Sequence, residues 1–167
     1  MLKMLFPLLG AILMTTACSQ MKNGATYHAH GSHNGIVVPI ASDGEDIGFA
    51  ELKLHDDKGD LEFWLTTDAA GTEPLDVPMD TAVTVTFPEM DGQAVELAIR
   101  NDRQNEDESG TPTLRDDKTN YFIFPGDTGA DASFLQGSDV ATMVVIAIDS
   151  GEMQATTAPF QLSPHTH

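Results

Sequence analysis

Three histidines, His28, His30 and His33, fall within six positions in the stretch YHAHGSHNG, and two more, His165 and His167, end the chain. Imidazole nitrogens are good ligands for Zn2+, Cu2+ and Ni2+. In extended backbone, side chains two residues apart point the same way, so His28 and His30 share a direction, and so do His165 and His167. Gly31 permits a turn that brings His33 round to the same ion. These five residues are the candidate metal ligands, and they can act together if the first and last strands lie side by side. Ordering such a segment costs about 1–2 kcal/mol per residue in backbone entropy, which favours loose capture of Zn2+ or Cu2+ over a preformed tight site. The sixth histidine, His55, stands at a turn beside Asp56 and Asp57 and reads as a surface residue. Its functional alternative is to join a carboxylate in binding a cation.

Other chemistry is thinly represented. The chain has no Gly-x-Ser-x-Gly elbow, phosphate loop or His-Glu-x-x-His pattern, and no catalytic residue is assigned. Asp102, Asp107 and Asp116 offer oxygens without the spacing of a calcium loop. The methionines after residue 21 are too scattered for a copper cluster and read as core or loop filler. A non-enzymatic role is expected.

The first 17 residues carry Lys3, an apolar run and small residues ending at Ala17, which is the pattern of an export signal. The run is shorter than the roughly 20 residues a membrane-spanning helix needs. Cys18, the only cysteine, follows directly. Its position resembles the lipobox of bacterial lipoproteins, in which that cysteine is diacylated; ordinary cleavage leaving a free thiol is the alternative. Ser19 after it leans towards the outer membrane by the sorting rule of that class. With one cysteine, no intramolecular disulfide can form. The 26 acidic and 8 basic side chains give a formal charge of −18, which repels nucleic acid and favours cations or basic partners.

These residues need elements to position them. Segment 18–35 is small, polar and Gly-interrupted, as a flexible tether would be, and the folded body is expected over 36–163, followed by a His-containing tail at 164–167. Segments 47–55 and 60–67 alternate apolar and polar residues around a turn at 56–59, which predicts a hairpin. Segments 81–87 and 93–100 predict a second. Segment 101–118 has Leu114 as its one large apolar residue and reads as a solvated linker. Segment 121–124 is a short apolar strand, 131–137 suggests one helical turn capped by Asp131, and the apolar run 141–148 reads as a central strand buried on both faces. Seven or eight short strands without helical periodicity predict an all-β fold, a two-sheet antiparallel sandwich of immunoglobulin-like type.

The lipobox, the stretch ending His33-Asn34-Gly35 and the hairpin FAELKLHDDKGDLEF from Phe49 together resemble the small uncharacterised bacterial lipoproteins with His-rich ends. Their motif is similar to one on periplasmic adaptor subunits of heavy-metal efflux pumps, where His-Gly-Gly precedes an Ala-Glu-Leu strand. A histidine often precedes the Ala-Glu pair there, where this chain has Phe49. The resemblance implies a cell-envelope location and contact with metal. The resulting expectation is an exported lipoprotein, anchored and facing the periplasm, that buffers a divalent transition metal through its terminal histidines. The alternative is an envelope interaction module that docks a protein partner through its acidic surface or an exposed sheet edge.

Overall fold

The computed structural model describes residues 30–126, 129–137 and 140–165. Cys18, His28, His167 and the expected export signal lie outside them. Eleven strands are found among the described residues: β1 (Ile36–Ser42), β2 (Glu45–His55), β3 (Asp60–Thr66), β4 (Val77–Pro78), β5 (Ala82–Phe87), β6 (Gln93–Leu97), β7 (Lys118–Thr119), β8 (Tyr121–Phe124), β9 (Thr142–Asp149), β10 (Gln154–Thr157) and β11 (Phe160–Leu162). The fold is all-β with antiparallel pairing, as the alternating patterns predict.

The two-sheet, immunoglobulin-like sandwich does not form. Eight strands instead follow one another in a single sheet, β6-β5-β9-β10-β1-β2-β3-β8, with β11 added to β9 and β4-β7 as a separate ribbon. The two ends of this order meet: Ala98 N–H donates to Ile123 O at 2.9 Å, and Ile123 N–H donates to Ala98 O at 2.8 Å. The sheet is therefore a nearly closed barrel. Strand patterning alone does not distinguish the two architectures, because both ask for one apolar face per strand.

Inside the barrel lie Leu52 and Leu54 of β2, Leu61, Phe63 and Leu65 of β3, and Phe122 of β8, all inaccessible to solvent. Turns set the register that puts them there. Asp43 (φ 51°) and Gly44 (φ 84°) both take the positive φ that a two-residue hairpin turn requires between β1 and β2. Gly59 (φ 77°) closes the β2–β3 turn, its N–H donating to His55 O at 2.9 Å. A Cβ at Gly59 would lie 2.2 Å from Ala132 O, so the position admits only glycine. The expected helical turn is a 3-10 turn at Ser133–Leu135, with the Asp131 carboxylate accepting from Ser133 N–H at 2.9 Å. It delivers Leu135, fully buried, to the core.

Three expectations change. β9 alternates buried and more exposed residues, so its run of small and β-branched residues covers one face of the sheet only. Residues 30–35, placed at the end of the expected tether, form a turn held on β2, with Asn34 N–H donating to Gly31 O at 3.2 Å. Segment 101–118 is mostly exposed, as expected, but it is pinned to the barrel rather than free. Asn105 is fully buried in it, its side-chain amide donating to Thr119 Oγ1 and to Tyr121 O, both at 2.8 Å, while its Oδ1 accepts from Arg100 N–H at 2.8 Å. Asp107, considered above for calcium, accepts from the N–H groups of Ser109 and Thr111 at 2.9 Å each. The turn and this segment together bury much of the outer face of β2 and β3.

Closure of the barrel through residue 98 is testable. Ala98→Pro removes the donor to Ile123, and urea unfolding should show a loss of about 1–3 kcal/mol. Ala98→Ser, which keeps the N–H, should stay near wild type.

Candidate metal centre

The β2–β3 register pairs Lys53 with Glu62 and His55 with Asp60. Lys53, His55 and Glu62 therefore share the outer face, two residues apart along a strand or opposite across the pair. In most hairpins that face meets water. Here Lys53 is 5% exposed, with Glu108 of segment 101–118 on its ammonium, and Glu62 is 4% exposed, with His55 and the Tyr121 hydroxyl on its carboxylate. Buried ionised groups demand partners.

They find them in each other. His55 Nε2 lies 2.9 Å from Glu62 Oε2 and 3.5 Å from Glu108 Oε2. The second oxygen of each carboxylate is held elsewhere: Tyr121 OH donates to Glu62 Oε1, and Lys53 Nζ donates to Glu108 Oε1 at 2.6 Å. Arg100 completes the network, 3.3 Å from the Tyr121 hydroxyl and 3.9 Å from Glu62 Oε1. One oxygen of each glutamate is thus fixed by a neighbour while the other converges on the same imidazole nitrogen.

Titration follows this arrangement. The hydrogen bond to Glu62 raises the His55 pKa above its ordinary 6.5, against the opposing effect of burial. Burial alone would raise the Glu62 carboxyl, but hydrogen bonds from His55 and Tyr121 outweigh it and hold the group below its ordinary 4.5. Burial and the Glu62 carboxylate push the Tyr121 phenol well above its usual range. Tyr121 therefore stays a donor.

One donor atom from each of His55, Glu62 and Glu108 lies within 4.8 Å of the others. A nitrogen and two carboxylate oxygens in this arrangement can hold a metal ion, and Zn2+ accepts that donor set. Tyr121 and Lys53 then act as the outer partners that orient ligating carboxylates. All three residues line a cleft of about 690 Å3, whose walls include Arg100, Lys58 and Phe124.

The terminal histidines are placed differently. His33 Nδ1 lies 3.0 Å from Glu51 Oε2 and 3.0 Å from Ser32 Oγ. The Ser32 hydroxyl donates to Gly71 O, so both neighbours of Nδ1 accept, and Nδ1 carries the proton. The His33 ring stacks on Trp64, centroids 4.1 Å apart and planes within 2°. Trp64 is 1% exposed beneath this ring. His30 and His165 line one narrow crevice beside Leu54, where His165 N–H donates to Leu54 O at 2.9 Å. The two ends of the described chain do meet there. The crevice, about 20 Å3, has room for roughly one water, and the terminal histidines form no three-ligand group among the described residues.

Sequence reasoning placed His55 at the right turn but beside the wrong carboxylates. Asp56 and Asp57 follow it, whereas Glu62 and Glu108 bind it. Glu62 is deducible from the hairpin register, since it must share a face with Lys53 and His55. Glu108 is not, because nothing local says that its loop folds over β2. No family model matches the chain, and no curated protein or solved structure is significantly similar to it.

Two measurements check this geometry. A raised His55 pKa contributes stability that is complete below about pH 6.5 and is lost as pH rises through the folded value; a lowered Glu62 pKa contributes stability that is complete above about pH 4.5 and is lost as pH falls through its folded value. The stability difference between wild type and His55→Gln should therefore peak between those limits, at about 1.5–3 kcal/mol, and shrink on both sides. Glu51, 1% exposed, accepts from the N–H groups of His33 at 2.9 Å and Gly35 at 2.8 Å. Glu51→Leu should cost about 2–4 kcal/mol in urea unfolding and red-shift the emission of Trp64, the only tryptophan.

Proposed function

We propose that this protein is an exported, lipid-anchored component of the bacterial cell envelope that captures a divalent transition metal, with His55, Glu62 and Glu108 as its centre. The observation that carries the reading is the convergence of Glu62 Oε2 and Glu108 Oε2 on His55 Nε2. An ion there takes the place of the Nε2 proton, so binding releases protons. The export signal and Cys18 supply the anchor in this reading, and the strongly acidic surface raises the local concentration of cations. Capture by His28, His30, His33, His165 and His167 is a looser contribution, and His33 has already committed one nitrogen to Glu51.

Titration calorimetry of the full chain in detergent with Zn2+ and Cu2+ tests the assignment. One ion should bind, and His55→Ala, Glu62→Gln and Glu108→Gln should each weaken it by at least about tenfold. Tyr121→Phe, which removes the hydroxyl that donates to Glu62 and accepts from Arg100, should weaken it by about 10–100-fold with the fold retained. If replacing the five terminal histidines by alanine abolishes binding while His55→Ala does not, the centre lies at the termini instead. A protein partner retained in the presence of chelator would favour the envelope interaction module over metal capture.

A further inference from the structure

The cleft beside the three ligands is much larger than an ion needs. Its volume of about 690 Å3 lies within the roughly 300–1,000 Å3 typical of small-molecule sites. Three protein donors also leave at least one position open on a tetrahedral ion, and all three ligands line the cleft that can fill it.

The charges around this space decide what can enter it. Without an ion, the four carboxylates of Asp57, Asp60, Glu62 and Glu108 exceed the cations Lys58, Arg100 and Lys53 by one, and the proton shared with His55 brings the two sides level. A divalent ion tips the balance, because its two charges added to three cationic side chains exceed the four carboxylates. The ion takes the place of the His55 proton, so loading adds one net positive charge, and an anion is held better by the loaded cleft than by the metal-free one. Arg100 presents a planar guanidinium, which matches a carboxylate through paired N–H donors, and its side chain is 41% exposed. Phe124 and Pro125 line the same space and give a carbon skeleton an apolar surface that inorganic phosphate would not use.

We propose that the cleft binds a small organic carboxylate as a co-ligand of the metal, with the ion bound first, one carboxylate in its open coordination position and another on Arg100 and Lys58. The protein would then hold a metal–chelate complex. This rests on the metal reading above.

The test uses the full chain in detergent, Zn2+, and citrate as the probe, followed by calorimetry and native mass spectrometry. Citrate should bind at saturating Zn2+ and give a protein–Zn2+–citrate mass, while the metal-free protein should bind it at least about tenfold more weakly. Arg100→Gln should weaken citrate at saturating Zn2+ by about tenfold or more, Arg100→Lys should recover part of the loss, and Lys58→Gln should cost about two- to threefold. If Zn2+ binds but citrate merely strips it from wild type and Arg100→Gln alike, or phosphate binds as well as citrate, the co-ligand proposal falls and the metal centre stands. If Zn2+ does not bind to wild type, both fall.

Discussion

A carboxylate buried on the outer face of a sheet must be met by donors, and Glu62 draws its donors from separate parts of the chain. His55 comes from β2 and Tyr121 from β8, with Arg100 following β6. An ionised carboxylate left without them would cost several kcal/mol, so the burial of Glu62 and the docking of these segments form one constraint. The face is closed by segment 101–118, and that segment is fixed by the fully buried Asn105. The convergence on His55 and the cleft beside it depend on this packing.

Glu51 applies the same logic two pairs along the hairpin. It too faces outward on β2, yet it is buried by the turn of residues 30–35, whose N–H groups it accepts. Three glycines are needed for this approach: a Cβ at Gly31 would lie 2.3 Å from the carboxylate, one at Gly35 2.8 Å from its Cγ, and one at Gly71 3.2 Å from an oxygen. Two buried glutamates on one hairpin thus organise two irregular segments. One gathers the N-terminal turn and the Trp64 stack, and the other gathers the candidate metal centre.

The sequence made the hairpin readable because its alternation is strict and its turn residues are specific. The pairing of Lys53 with Glu62 follows directly from that register. What alternation could not reveal was that the polar face is also buried. Glu51, Lys53 and Glu62 look like solvent-facing residues, and only segments without periodicity of their own, 30–35 and 101–118, cover them. The barrel escaped for a related reason: closure depends on one bridge between Ala98 and Ile123, two residues that no local pattern connects. The five terminal histidines drew attention by spacing, whereas the converging ligands are separated in sequence and joined by packing.

The charge balance of the network bears on whether metal is structural or captured. Glu62 and Glu108 already face His55, Lys53 and Arg100, so the burial of Glu62 is compensated by the chain's own cations. A structural zinc site behaves differently: without the ion its ligands repel or stay unpaired, and folding waits for metal. Here an ion needs to replace one proton on His55, while Lys53 and Tyr121 go on holding the far oxygens of the two carboxylates. Binding of that kind exchanges one cation for another inside a framework that stands without it. The nearby positive charges of Lys53 and Arg100 also limit how tightly a divalent ion is held. Both features suit reversible capture, in which the ion must leave as well as arrive.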